Sequence, residues 1–164
     1  MENEKVIGYV DNLVSFGIIA PRRKSLIVTD KRLLLVDSNS ALPIVVSIGV
    51  AYYFGVFGRG ITNRLSKDSI KENTEKLSQM NMDELLKSDP KNMDFNYSEI
   101  KRIKITRRKI IIETTRKKLK YKLSNTDVRK RKSGVYEAYV QTLQPVLGDK
   151  LKARIKKKPN TIQQ

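Results

Sequence analysis

Residues 99–123 read EIKRIKITRRKIIIETTRKKLKYKL, and the spacing of their apolar positions decides the fold class. Three runs, Glu99–Thr106, Lys109–Thr115 and Lys118–Leu123, carry the β-branched residues and alternation of strands. Two basic steps, Arg107-Arg108 and Arg116-Lys117, are too short to be anything but hairpin turns. The stretch therefore predicts a three-stranded antiparallel meander, with strands at about 100–106, 109–115 and 118–123. In a strand, successive side chains point to opposite faces. Leu119, Tyr121 and Leu123 then share one face, and Lys118, Lys120 and Lys122 the other. In the same way Arg102 and Lys104 lie opposite Ile103 and Ile105. Arg102, Lys104, Lys118, Lys120 and Lys122 are thus candidate anion-binding residues on one cationic sheet face.

Beyond the meander, Asn125 or Thr126 can cap a helix running from about 126 to 144, with Val128, Val135, Ala138, Tyr139, Thr142 and Leu143 near one side. Pro145 kinks or ends it. Residues 148–164 read as a basic tail, helical or frayed over 151–158. Before the meander, residues 5–15 form a strand, and Pro21-Arg22-Arg23-Lys24 a turn. SLIVT (25–29) and RLLLVD (32–37) form a hairpin, its first strand starting at about 24. Residues 61–80 are polar and weakly helical. Asn81 caps a short helix over Met82–Lys87, closed by Pro90. Ile27, Leu33, Leu35, Ile103, Ile105, Leu119, Tyr121, Leu123 and Tyr139 are the predicted core.

Residues 41–58, ALPIVVSIGVAYYFGVFG, carry no charge. Eighteen such residues stand at the threshold for a membrane helix. One crossing would put the first three strands and the last three on opposite sides, and eighteen residues cannot cross twice. The segment therefore reads as a shallow membrane-inserting element or a helix packed on the domain or on a second copy, with an anchor as the remaining reading. Val45, Ile48, Tyr52, Tyr53, Phe54 and Phe57 are the candidate membrane or partner contacts.

Composition narrows the chemistry. The chain of 164 residues has neither cysteine nor histidine. That removes disulfides, Cys/His zinc sites, Ser-His-Asp and Cys-His nucleophiles and the usual neutral-pH proton shuttle. The acidic residues are scattered without a D-x-D-x-D-type cluster. No catalytic residue, metal site or cofactor is predicted, and the chain reads as a non-enzyme. Glu2 and Glu4, with no apolar run behind them, do not read as a secretory signal, so the cytoplasm is the expected compartment, with peripheral membrane attachment. The net charge of +17 is unevenly placed: residues 1–100 hold 13 Lys/Arg and 13 Asp/Glu, residues 101–164 hold 21 and 4. Such asymmetry points to a polyanion.

Strand, hairpin, insertion, meander and terminal helix follow one another in an order that resembles the pleckstrin-homology-like (PH-like) fold. Ser25–Asp37, SLIVTDKRLLLVD, resembles the x-L-h-h-T-D-K-R-L-h-h-h hairpin of bacterial and archaeal PH-like and GRAM-like domains. Phe95–Ile105, FNYSEIKRIKI, resembles their next signature, an aromatic and Ser-Ile step into a strand. The resemblance covers about 100 residues. It implies a mainly β, α+β domain: an antiparallel β-sandwich or barrel capped by a C-terminal helix, spanning 1–147 and interrupted at about 39–92 by a hydrophobic and partly helical insertion. It also implies a non-catalytic module, and it makes Arg22, Arg23 and Lys24 candidate phosphate ligands, because many lipid-binding PH domains hold headgroup phosphates with basic residues near the first inter-strand turn. The charge directs that module to an anionic membrane surface, with nucleic-acid binding and protein interaction or oligomerisation through 41–58 as the alternatives.

Overall fold

The structure is a computed structural model, and it describes residues 4–15, 22–37, 81–124, 126–130 and 134–154. Among the described residues eight strands form one sheet: β1 Val6–Ser15, β2 Arg23–Thr29, β3 Arg32–Asp37, β4 Met93–Asn96, β5 Ile100–Ile105, β6 Lys109–Thr114, β7 Lys118–Leu123 and β8 Leu151–Ala153. Their order across the sheet is β4-β3-β2-β1-β7-β6-β5-β8. Two meanders, β1–β4 and β5–β7, are thus joined where β7 pairs with the end of β1, Leu13 opposite Leu123 and Ser15 opposite Tyr121. All pairings are antiparallel except that of β8, which lies parallel to β5 with Leu151 opposite Ile103. Helix α1 is Met82–Lys87, α2 is Thr126–Arg129, and α3 is Val135–Leu147.

Three of the hairpin turns use the same chemistry. At Thr29, Thr106 and Thr114 the hydroxyl accepts from the backbone N–H groups two and three residues on: Lys31 and Arg32, Arg108 and Lys109, Arg116 and Lys117. A threonine hydroxyl thereby satisfies the turn's own donors. The basic residues that follow are left at the turn surface. On the first of these turns the Tyr97 hydroxyl donates to the carbonyl oxygens of Thr29 and Arg32. The two sequence motifs, 25–37 and 95–105, therefore touch.

β1 bends at Asn12, whose φ of 53° is left-handed, where its register with β2 shifts between Val10 and Leu13. At the bend the Tyr139 hydroxyl donates to the buried Asp11 carboxylate, tying α3 to β1. Gly8 makes room for that helix: a Cβ there would lie 2.5 Å from Thr142 Cγ2. Arg107 holds the other side of α3, pairing with Glu137 and lying 4.7 Å above the Tyr136 ring.

Six strands and α1 lie where the sequence places them, and three readings of the fold need correction. The predicted helix over 126–144 is two helices, because Gly134 has a φ of 70° and starts α3 afresh; Pro145 lies inside α3, which runs to Leu147. Residues 151–153 are not a helical or frayed tail but β8, covering the edge of β5. Leu119 is only partly buried: β1 pairs with residues 121–123 alone, so Leu119 has β6 beside it and no described strand on its other side. The remaining eight predicted core residues are buried. The short strand β4 was not foreseen.

Candidate anion-binding face

The outer face of the second meander is built by register. Arg102 pairs with Glu113, and Glu113 with Lys118; Lys104 pairs with Ile111, and Ile111 with Lys120; Lys109 pairs with Lys122. β8 sets Lys152 beside Lys104, and β1 carries the last row on through Val14 to Arg23. Between these residues Ile103, Ile105, Ile110, Ile112, Tyr121 and Leu123 turn inward and are buried. A strand that buries one face must send every second residue to solvent, and here those residues are nearly all cations.

Arg102, Lys104, Lys118, Lys120 and Lys122, predicted from alternation, lie exposed on this face. Lys109 and Lys152 join them. The inward run Ile110 and Ile112 signals Lys109, since period two sends 109, 111 and 113 outward. Nothing local signals Lys152, which reaches the face only through the parallel pairing of β8. Period two also sends Glu113 outward, and it is the one carboxylate in β5–β8. Its Oε2 accepts from Arg102 at 2.7 Å and its Oε1 from Lys118 at 2.7 Å. Those two bonds, that from Lys118 foremost, hold its carboxyl below the usual carboxylate range.

The three basic residues near the first inter-strand turn do not act together. Arg22 and Arg23 are exposed, but Lys24 lies within β2 and is buried. Its Nζ donates to the Lys91 carbonyl at 2.9 Å, and burial pushes its ammonium pKa down, with Asp37 and Asp89 offsetting part of the shift. Lys24 is therefore not an exposed anion ligand: it lies opposite Asp37 of β3, and its amine is drawn to the Lys91 carbonyl, while Arg23 before it stays exposed. Val45, Ile48, Tyr52, Tyr53, Phe54 and Phe57 lie outside the described residues.

Among the described residues, no helix is long and apolar enough to cross a membrane, and no group of three or more Asp or Glu residues is placed to hold a metal ion. No protein-family model, curated protein or solved structure matches the chain.

Proposed function

We propose that this chain is a PH-like, non-catalytic binding module that associates peripherally with an anionic membrane surface through the outer face of β5–β8. One observation carries the reading: Arg102, Lys104, Lys109, Lys118, Lys120, Lys122 and Lys152 share that face with a single carboxylate, Glu113. A solvated surface ordinarily mixes the two signs. The PH-like assignment is supported by the strand order, in which two meanders meet at β1 and β7, and by the terminal helix packed on β1. It is supported as well by contact between the two motifs that carry the resemblance.

Basic residues close to an anionic leaflet contribute about 1 kcal/mol each, over a range set by a Debye length of about 8 Å at physiological salt. Several lysines presented on one sheet face meet that condition together. The uncharged stretch 41–58 offers apolar contact in addition. Nucleic acid is less well served. Tyr121, the one aromatic residue in β5–β8, is buried, whereas single-strand readers present aromatic side chains on which bases stack.

Co-sedimentation with vesicles of phosphatidylcholine, with and without phosphatidylserine, tests the reading across a salt series, beside a gel shift with DNA and RNA. Binding only to the anionic vesicles, weakening steeply with salt, is expected. Indifference to both vesicles together with a salt-dependent nucleic-acid shift would transfer the face to a nucleic-acid partner.

A further inference from the structure

The cationic face is not uniform along its strands. At the end marked by the β6–β7 turn four cations, Lys101 aside, are engaged within the fold. Arg102 and Lys118 hold Glu113, Arg116 lies 3.9 Å from Glu99, and Lys117 sits over the Phe95 ring, 5.3 Å from its centre. At the other end, marked by the β5–β6 turn, Arg107 alone is used in this way, by Glu137. Lys104, Arg108, Lys109, Lys122 and Lys152 form no ion pair among the described residues. β6 spans the two ends with six residues, a length of about 20 Å at strand rise. That is more than twice the Debye length of about 8 Å at physiological salt, so a charged surface senses the two ends separately.

We propose that the domain meets an anionic bilayer tilted, with the β5–β6-turn end of the face down, and that Glu113 sets this tilt by neutralising the opposite end. The inference rests on the membrane reading above and gives it an orientation. Lys104, Lys109 and Lys122 then lie nearest the headgroups with Arg108 leading, while Arg102 and Lys118 stand away from them.

The absence of cysteine in the chain makes the orientation directly measurable. Arg108→Cys and Arg116→Cys each remove one positive charge at an exposed turn, on opposite ends of β6. Each would carry an environment-sensitive fluorophore, with acrylamide quenching read with and without phosphatidylserine-containing vesicles. Protection at 108 with none at 116 is expected. Equal protection at both, or greater protection at 116, would overturn the tilt. Adding Glu113→Gln to the 116-labelled variant releases Arg102 and Lys118 and removes one negative charge. Protection should then extend to 116, with partitioning raised about fivefold. If 116 stays unprotected, Glu113 does not set the tilt. Lys104→Gln with Lys122→Gln should lower partitioning about 30-fold; a loss below threefold, with protection unchanged, would show that the contact lies elsewhere. Failure of the unlabelled protein to sediment with anionic vesicles would remove the membrane reading itself, and it is distinguishable because it appears before any label is introduced.

Discussion

The hairpin β2–β3 and the meander β5–β7 are built from similar amounts of isoleucine, leucine and valine, yet they bury them differently. Leu26, Ile27 and Val28 on β2, and Leu33 to Val36 on β3, are all buried, so both faces of that hairpin are covered. On β5–β7 burial alternates with exposure along each strand. The sequences state the difference openly: LIV and LLLV run without a polar break, whereas IKRIKI and KLKYKL alternate. Continuous apolar runs mark strands covered on both sides, and alternation marks a sheet with one face in water. Charge follows from coverage. Arg32, on the covered hairpin, is satisfied three times over, by Glu4, Asp83 and Asp94 at 2.9, 2.5 and 3.1 Å. The open meander leaves most of its cations to the solvent and to whatever anion comes near.

The largest test of this contrast is in the core. Ile103 is fully buried and Leu119 only partly so, although both point inward from the open meander. Ile103→Ala should cost about 2–5 kcal/mol in chemical denaturation, and Leu119→Ala under about 2 kcal/mol, because a partly buried side chain leaves less of a cavity. Equal costs would mean that Leu119 is covered as completely as Ile103.

A smaller effect separates the charges of the two regions. Arg32→Gln leaves the partly buried Glu4 carboxylate, whose side chain is 13% exposed, with the Thr29 hydroxyl and no cation, and should destabilise by about 1–3 kcal/mol. The loss should survive high salt, since a pair withdrawn from water is screened weakly. Lys122→Gln on the open face should change stability by less than about 0.5 kcal/mol. If the two substitutions cost the same, the division into satisfied and solvent-facing cations fails.

Buried tyrosines add a dependence on pH. Burial raises the hydroxyl pKa of Tyr97, Tyr121, Tyr136 and Tyr139 above the ordinary 10.0. Above pH 10 the unfolded chain loses these protons while the folded chain keeps them, so stability present below pH 10 falls as pH rises toward the folded values. Lys24 acts in the opposite sense: its folded pKa lies below the ordinary 10.5, so between the two the unfolded chain holds the extra proton and stability rises with pH. Four groups oppose one, and the net slope above pH 10 is downward. Tyr97→Phe should flatten that slope by up to about 1.4 kcal/mol per pH unit. An unchanged slope in urea melts between pH 10 and 12 would mean that Tyr97 ionises in the fold as it does in the open chain.

Much of this was legible beforehand, for identifiable reasons. Period two along 99–123 reports directly which residues see water, so Arg102, Lys104, Lys118, Lys120 and Lys122 could be placed on one face without coordinates. Asn81 announced α1 because a side chain that accepts from Asp83 and Glu84 N–H groups is a local signal. What could not be read depends on residues distant in sequence. Lys24 sits in a run of three basic residues, and only the depth of β2 against Asp37 and Lys91 shows it to be inward. β8 has three residues and no alternation to speak of; the free edge of β5 makes it a strand. The quenching of Arg102 and Lys118 by Glu113 needs the register of three strands, and Glu113 read singly is one acid among many bases.

Lys118→Gln, Lys120→Gln and Lys122→Gln combined should also change stability little, and the smallness of that change is what makes it informative. Each glutamine keeps a polar side chain on the solvent side of β7, so the inward residues Tyr121 and Leu123 and their burial are untouched. The salt bridge of Lys118 with Glu113 is lost, and Glu113 retains Arg102 as a partner. An exposed pair of this kind contributes about 0–1 kcal/mol. Removal of three like charges from a crowded cationic face relieves repulsion and offsets part of that loss. The melting temperature should therefore stay within a few degrees of the parent, as about 1 kcal/mol would shift a domain of this size by about 2–4 °C. Sedimentation with anionic vesicles should meanwhile fall steeply, since Lys120 and Lys122 each withdraw about 1 kcal/mol, while Lys118, held by Glu113, withdraws little. A variant that melts far below the parent would show that these lysines serve the fold. One that melts with the parent and still sediments as well would show that the outer face of β7 is not where the anion binds.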